Sequence, residues 1–380
     1  MESGRIFVTV LDEWCLARSM SVKSSWYASE LRRELGVRNR LWARGRVYVE
    51  SYGTVPVIVY APADHPTDHP EGTLLSARAP GRIERHGNFF DGSYAAICAN
   101  KEWMRRLDKI HAQGRALPKA ESGRKWRELD SSMSSDALLM NVFCAPGVAE
   151  AAAVRLTLGV DGEGLPEFGW KARVPLASGR FDRTEIDMRW GGLLVEAKLT
   201  EGDFQTRAAR VVEAYRDFDA VFERELLPRV ELRAARRRTV VEFAEEFTQE
   251  WEQPGARSAF ETNEVAREFQ AGIVARARET EPAEGGYAGY QLIRNVLAAY
   301  AEGASFCVLH DERRPDLRET WFAVMAAVKS AEIRVRCKVM TWQELAVLTP
   351  ERLQEFLDLK YGIATCGGAD AAGAVNEDSS

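Results

Sequence analysis

Hydrophobic and polar positions alternate most regularly between Glu185 and Leu199. Ile186, Met188, Trp190, Leu193, Val195, Ala197 and Leu199 share one side of an extended chain, and Glu185, Asp187, Arg189, Leu194, Glu196 and Lys198 share the other. Gly191-Gly192, in the middle, is a favoured two-residue hairpin turn in which both glycines are expected to take positive φ. The turn sets Trp190 opposite Leu193, Met188 opposite Val195, Asp187 opposite Glu196, Ile186 opposite Ala197 and Glu185 opposite Lys198.

Elsewhere the pattern is helical or continuously apolar. Ser134-Ser135-Asp136 ahead of Ala137–Phe143 predicts a capped, mostly buried helix ended by Ala145-Pro146-Gly147. Val55–Tyr60 and Trp170–Leu176 predict strands. From Gln205 to about Thr280 three helices are predicted, on stripes through Val211, Tyr215, Phe218 and Phe222, then Val240, Phe243, Phe247 and Trp251, then Val265, Phe269 and Ile273. The turn-rich Pro282–Gly286 opens a helix from about Tyr287 to Ala301, closed by Gly303. Ala304–His310 predicts a strand buried on both faces. Ile333, Val335, Cys337 and Val339 alternate with Arg334, Arg336 and Lys338, the period of a strand with one basic face. Thr349-Pro350 caps a last helix ending near Tyr361-Gly362, and the small, polar Cys366–Ser380 is expected to be a disordered tail.

At 380 residues the chain has room for two or three domains at ~150 residues each. Its formal charge of -6 means that a nucleic-acid partner must be held by a local basic patch. Residues 101–127 supply one, with nine Lys or Arg against three acids, including Lys101, Arg105, Arg106, Lys109 and Arg115. Trp103, Leu107, Ile110 and His111 fall near helical spacing there, so the cations read as the outer face of an amphipathic helix, either solvated or in contact with phosphate. Arg233, Arg236, Arg237 and Arg238 form a second cluster, which the following Glu242, Glu245, Glu246 and Glu250 neutralise. No apolar run is long enough to span a bilayer and no basic leader precedes Ile6–Leu11, so a cytoplasmic protein is expected. The six cysteines contain no C-x-x-C pair and signal neither a zinc knuckle nor a disulfide framework.

Two places carry candidate chemistry. The loop Asp64-His65-Pro66-Thr67-Asp68-His69-Pro70 has two Asp-His pairs at an interval of four, which suit either a zinc-dependent hydrolase or a plain turn. The hairpin is the richer one. Directly opposed carboxylates repel, so Asp187 against Glu196 asks for a cation. A hard divalent ion such as Mg2+, which takes carboxylate oxygens and keeps several waters, suits the pair, and Lys198 would sit beside that ion and its water. The competing account is a solvated face with Glu185 and Lys198 as a cross-strand ion pair.

Asp187, eight intervening residues, then Glu196-Ala197-Lys198 resembles the D…E-x-K signature of the PD-(D/E)xK, or restriction-endonuclease-like, nuclease superfamily. The wider phrase Thr184-x-x-Asp187…Glu196-x-Lys198-x-Thr200-Glu201 resembles a bacterial group of restriction endonucleases within it. Ile186 stands where the eponymous proline would be. The resemblance implies an α/β fold with a mixed central sheet flanked by helices over residues 129–362, carrying a helical insertion at about 205–280. Residues 1–128 form an N-terminal region of unknown role and 363–380 a tail. It also implies a Mg2+-dependent DNA endonuclease, with Mn2+ able to substitute, that cuts by in-line attack and leaves a 5′-phosphate. Asp187 and Glu196 would bind the metal with the Ala197 carbonyl as a third ligand, Lys198 would orient water and stabilise phosphate charge, and Glu185 would be an auxiliary acid. Gln291, on the helix after the signature, matches a glutamine many members place near the site. A non-cutting nucleic-acid-binding protein that keeps the fold is the alternative, and the oligomeric state is open, a homodimer included.

Overall fold

The computed structural model describes residues 10–50, 57–63, 85–110, 126–183, 185–232 and 284–363. The Asp64–Pro70 loop, Arg115, the arginines at 233–238, the helices expected around Val240 and Val265, and the tail after Cys366 lie outside the described residues. Among the described residues no helix is long and apolar enough to cross a membrane.

The molecule is mixed α/β, with a central five-stranded sheet flanked by helices. Its strands are β1 (Glu167–Lys171), β2 (Glu185–Trp190), β3 (Leu193–Ala197), β4 (Ser305–His310) and β5 (Cys337–Thr341), arranged in space as β5-β4-β3-β2-β1. β1, β2 and β3 are antiparallel neighbours, while β4 runs parallel to both β3 and β5. Helices α1 (Val10–Trp42), α2 (Ser135–Phe143), α3 (Tyr290–Glu302), α4 (Pro315–Ala326) and α5 (Glu351–Tyr361) cover the two faces.

Alternation along the inner strands explains the two cores. Leu193, Val195, Ala197, Cys307 and Leu309 pack with Leu31 and Leu35 of α1, Leu138, Leu139 and Phe143 of α2, and Leu353 and Leu357 of α5. Leu194, Phe306 and Val308 point the other way and meet Leu292, Ile293 and Val296 of α3 with Leu317 and Trp321 of α4. β3 is thus covered on both sides, and all five of its residues are buried. α2 begins as its sequence predicts, with Ser134 Oγ accepting the Ala137 N–H at 3.1 Å, and all of its residues are buried.

The hairpin register is the expected one next to the turn, with Trp190 opposite Leu193, Arg189 opposite Leu194 and Met188 opposite Val195, and the ladder ends there, before the expected pairs Asp187–Glu196, Ile186–Ala197 and Glu185–Lys198. Two further details differ. Only Gly191 has a positive φ, at 57°, and a Cβ there would meet the Asp161 carbonyl oxygen at 2.9 Å, whereas a Cβ on Gly192 would meet nothing within 4 Å. Gly191→Val is therefore expected to cost about 1–3 kcal/mol in urea denaturation, and Gly192→Ala to stay within about 0.5 kcal/mol of the parent. The second difference is that Ile186 packs with Trp170 in the α3-side core, across the sheet from Met188. The cause is its partner strand: Gly169 has φ 65°, so β1 turns over between Phe168 and Trp170, and β2 follows it between Met188 and Ile186.

Three further expectations are corrected. The stripe from Val211 to Phe222 is not one helix but two single turns, Ala209–Val212 and Phe218–Val221, between strands Thr206–Ala208 and Arg229–Leu232. Both strands pair with Glu284–Ala288, where a turn was expected, so a distant partner segment decides their conformation. Ile333 lies on a helical turn, Ala331–Arg334, held by the i,i+4 pair Arg336–Glu332 at 3.0 Å, and the strand starts only at Cys337. Lys338 is not part of a basic face, since its ammonium caps the Leu158 carbonyl at 2.7 Å.

Lys360 shows how α5 closes on α1. It is fully buried, its ammonium donating to Asn39 Oδ1 and lying 4.7 Å from the centre of the Tyr60 ring. Burial, with Arg46 adding to it, holds its pKa well below the ordinary 10.5. The unfolded chain keeps the ordinary value and binds the proton more readily, so this group costs stability at neutral pH, and the cost fades as pH rises from the folded pKa to 10.5. Lys360→Met is expected to raise Tm at neutral pH, because Tyr60 still bonds Asn39 Oδ1 at 3.0 Å, and the gain should shrink toward pH 10.5. Paired thermal melts across that range check it, and a gain that grows with pH would contradict the assignment.

Candidate active site

Glu196 follows Leu194 on the α3 side of β3, so burying the strand also buries its carboxylate, which is 1% exposed. Such a charge must be met by polar groups, and α3 supplies two on one face, at i and i+4. Gln291 Nε2 donates to Glu196 Oε1 at 3.1 Å and Asn295 Nδ2 to Oε2 at 2.7 Å. Lys198, two residues on and 5% exposed, donates from Nζ to Glu196 Oε1 at 2.7 Å. The Glu185–Lys198 pair is therefore not formed. In the sequence Asn295 falls on one helical stripe with Gln291, Arg294 and Ala298, but the resemblance assigns only Gln291 to the site.

Asp187 lies where the β2–β3 ladder ends. Its Oδ2 accepts the Ala197 N–H at 2.8 Å, the place a backbone carbonyl would take if pairing continued. Since the Lys198 N–H bonds Leu309 O at 2.8 Å toward β4, residue 197 presents its N–H toward β2, and its carbonyl leaves on that same side. Asp187, Glu196 and Ala197 thus border one space at the strand end.

The electrostatics follow from burial. Burial first, then the Glu196 and Asp136 carboxylates, push the Asp187 pKa well above the usual carboxylate range, with Lys198 and the Ala197 N–H only partly offsetting them. For Lys198 burial alone would disfavour the ammonium, but Glu196, Glu201 and Asp187 outweigh it, and its pKa is raised. It stands as a protonated donor.

The strand end is braced from three sides. Trp342 Nε1 donates to the Lys198 carbonyl at 2.9 Å, and Arg32 of α1 donates to the Thr200 carbonyl at 2.7 Å. Arg314, fully buried and paired with Asp316 at 2.7 Å, donates to the carbonyls of Leu199, Glu201 and Gly202 at 3.2, 2.7 and 3.1 Å. Glu201 accepts the Leu199 N–H at 2.6 Å and the Ser135 hydroxyl, tying β3 to the start of α2. The Leu199–Glu201 and Arg314–Asp316 bonds are local, whereas the others join residues far apart in the chain and have no local sequence signal.

Glu185 belongs to a separate ionic cluster. It accepts Lys109 at 2.9 Å, Arg106 at 2.8 Å and Lys171, while Asp136, 6% exposed, accepts Arg106 at 2.7 Å. Burial opposes the Glu185 charge, but the hydrogen bonds from these three cations prevail and hold its pKa far below the usual range. The expectation of outward cations on a continuous helix is corrected here. The segment is a helical turn, Lys101–Met104, followed by a 3-10 turn, Arg105–Asp108, and Arg106 and Lys109 face inward against acids. The Arg106 guanidinium fills the space left open by Gly169. Lys101 and Arg105 are exposed, Arg105 paired with Glu102 at 2.8 Å.

Fold and site define a mixed α/β protein whose strand hairpin ends in two carboxylates and a lysine, sealed by a polar helix face. Residues 63–362 match the family described as restriction endonuclease associating with ARP, and the chain belongs to that family. The description names a class of nuclease whose substrate is DNA. No curated protein and no solved structure matches the chain.

Proposed function

We propose that this chain is a Mg2+-dependent DNA endonuclease with a PD-(D/E)xK core over residues 129–362, acting in the cytoplasm in restriction or defence. The observation that carries the reading is the convergence of Lys198, Gln291 and Asn295 on Glu196 beside the Asp187–Ala197 contact. The order α2, β1, β2, β3, α3, β4 supports the core assignment. Association with ARP, as the family's description has it, belongs to the same proposal.

The donor set fits a hard cation. Among the described residues no three His, Cys, Asp or Glu side chains gather into a protein cage. Mg2+ keeps several waters and needs only one or two carboxylates. Glu196 Oε1 already accepts two hydrogen bonds, while Oε2 accepts one and Asp187 Oδ2 one, so each of the latter retains a lone pair. Asp187, Glu196 and the Ala197 carbonyl would hold the ion, and Mn2+ would substitute. Bound there, it supplies Lewis acidity toward a phosphate oxygen and lowers the pKa of its water.

The chain's own groups do the rest. Lys198 donates a hydrogen bond to the attacking water and offsets the negative charge that builds on the phosphorane oxygens. Gln291 and Asn295 hold the Glu196 carboxylate in one orientation, so little reorganisation accompanies the reaction. Water attacks phosphorus in line with the departing 3′-oxygen: the new P–O bond forms as the P–O3′ bond breaks, the water's proton passes to solvent, and the 3′-oxygen takes a proton from solvent, leaving the 5′-phosphate on the other product. Glu185, held ionised by three cations, is an auxiliary acidic residue that keeps Arg106 in place near Asp187. The test is incubation of supercoiled plasmid with Mg2+, wild type against Lys198→Ala. Relaxed and linear products from the wild type alone are expected, and an inactive wild type overturns the reading.

A further inference from the structure

Among the described residues Arg105, Arg106 and Lys109, first expected to hold DNA, are paired with acids, and a different set of arginines, one of them donating to Asn295 Oδ1 at 3.3 Å, lies beside the candidate active site without an ion pair. Arg294 lies between Gln291 and Asn295 in the sequence of α3, the two residues that grip Glu196, and its guanidinium is 5.5 Å from the centre of the Tyr290 ring. Arg207 approaches the same ring, also at 5.5 Å. Arg207 is directly opposite Tyr287 in the three-stranded sheet, and Tyr287 is directly opposite Arg229, whose guanidinium is 5.4 Å from the Tyr287 ring. With neighbouring strands about 4.8 Å apart, Arg207 and Arg229 are separated by roughly 10 Å on one face. The result is a row, Arg294, Arg207, Arg229, that leads away from Gln291.

Arg207 and Arg229 are exposed and Arg294 is half-buried, and among the described residues none of the three forms an ion pair. Of the acids on the neighbouring elements, Asp182 accepts the Tyr215 hydroxyl at 2.6 Å and Glu213 accepts the Tyr287 hydroxyl at 2.7 Å and Arg224 at 3.2 Å, while the exposed Glu225 acts on Arg229 only from beyond ion-pair distance and the exposed Glu231 follows two residues on in the same strand. The aromatic rings fix the guanidinium groups without neutralising them.

The row is also fastened to the site. Gln291 N–H donates to Phe204 O and Tyr290 N–H to Gln205 O, each at 2.9 Å. Gln205 has φ 61°, the single positive value outside glycine among the described residues, and its N–H is held by Asp203 Oδ1 at 2.7 Å. Strain of this kind persists where the surroundings over-determine the backbone, and it concentrates at working sites. Here it turns the chain from Lys198 and Phe204 directly into the strand that carries Arg207.

We propose that Arg294, Arg207 and Arg229 form the contact for the phosphate backbone of nucleic acid, aligning the strand so that one phosphate reaches Lys198 and Glu196. The inference rests on the nuclease reading and adds to it the surface that holds the substrate. Arginine suits this task because its fixed fork matches phosphate oxygens.

The test is fluorescence anisotropy with a labelled DNA duplex of about 30 base pairs, without divalent ions, from about 50 to 200 mM salt. The wild type is compared with Arg207→Ala/Arg229→Ala/Arg294→Ala and with the corresponding triple Lys variant. Each phosphate contact contributes ~0.9 to the slope of log K against log salt, so the Ala variant is expected to lose about 2.7 of slope and at least tenfold in affinity at low salt. The Lys variant, which keeps the charges, should regain most of the slope, an outcome that loss of structure does not give. Unchanged slope and affinity in the Ala variant, with a wild type that binds DNA and cuts plasmid, overturns this inference and leaves the nuclease reading intact. A slope lost equally in the Lys variant also overturns it. A wild type that neither binds nor cuts overturns both.

Discussion

Lys198→Ala is expected to leave supercoiled plasmid uncut under conditions in which the wild type converts it fully, a loss of 100-fold or more, and Asp187→Asn and Glu196→Gln should fall as far (about 3 kcal/mol of transition-state stabilisation). The three should separate in calorimetric titration with Mn2+. The two carboxylate variants lose affinity for the ion, whereas Lys198→Ala keeps it, because Gln291 and Asn295 still hold Glu196. Circular dichroism establishes that each remains folded. Near-normal cleavage by any two of the three removes this site from consideration.

Arg314→Met should be the most damaging single change to the fold outside the apolar core. It leaves Asp316 buried without its cation and strips donors from three carbonyls in the loop after β3. Removing one partner of a buried pair costs about 3–5 kcal/mol, which urea denaturation reads directly. Arg314→Met/Asp316→Leu should recover part of the loss by removing the stranded carboxylate. A single-variant loss below about 1 kcal/mol would show that the brace contributes little.

The site was legible where chemistry is local. Gly191-Gly192 fixes a register, the register sets Asp187 near Glu196, and alternation puts Lys198 on the same side as Glu196. Gln291 could be placed because helical spacing survives in α3, and the strand at Ser305–His310 because an apolar run buried on both faces has few other solutions. What escaped depends on distant partners. Ile186 changes face because Gly169, on another strand, adopts positive φ. Thr206–Ala208 and Arg229–Leu232 are strands because Glu284–Ala288 lies between them, although their neighbours carry helical spacing. Arg106 and Lys109 looked like solvent-facing cations because Asp136 and Glu185, which draw them inward, come 27 residues or more later in the chain.

The braces around Lys198 also set an order of events on the ribosome. Asp187, Glu196 and Lys198 leave the exit tunnel together, yet Glu196 meets its amide partners only when residues 291–295 emerge. The Lys198 N–H waits for Leu309, the loop carbonyls for Arg314, and the Lys198 carbonyl for Trp342. A nascent chain, or a product cut short before Trp342, carries every letter of the signature without the scaffold that aligns it. On the proposed nuclease reading, cleaving capacity should therefore switch on only late in synthesis, once Trp342 has emerged.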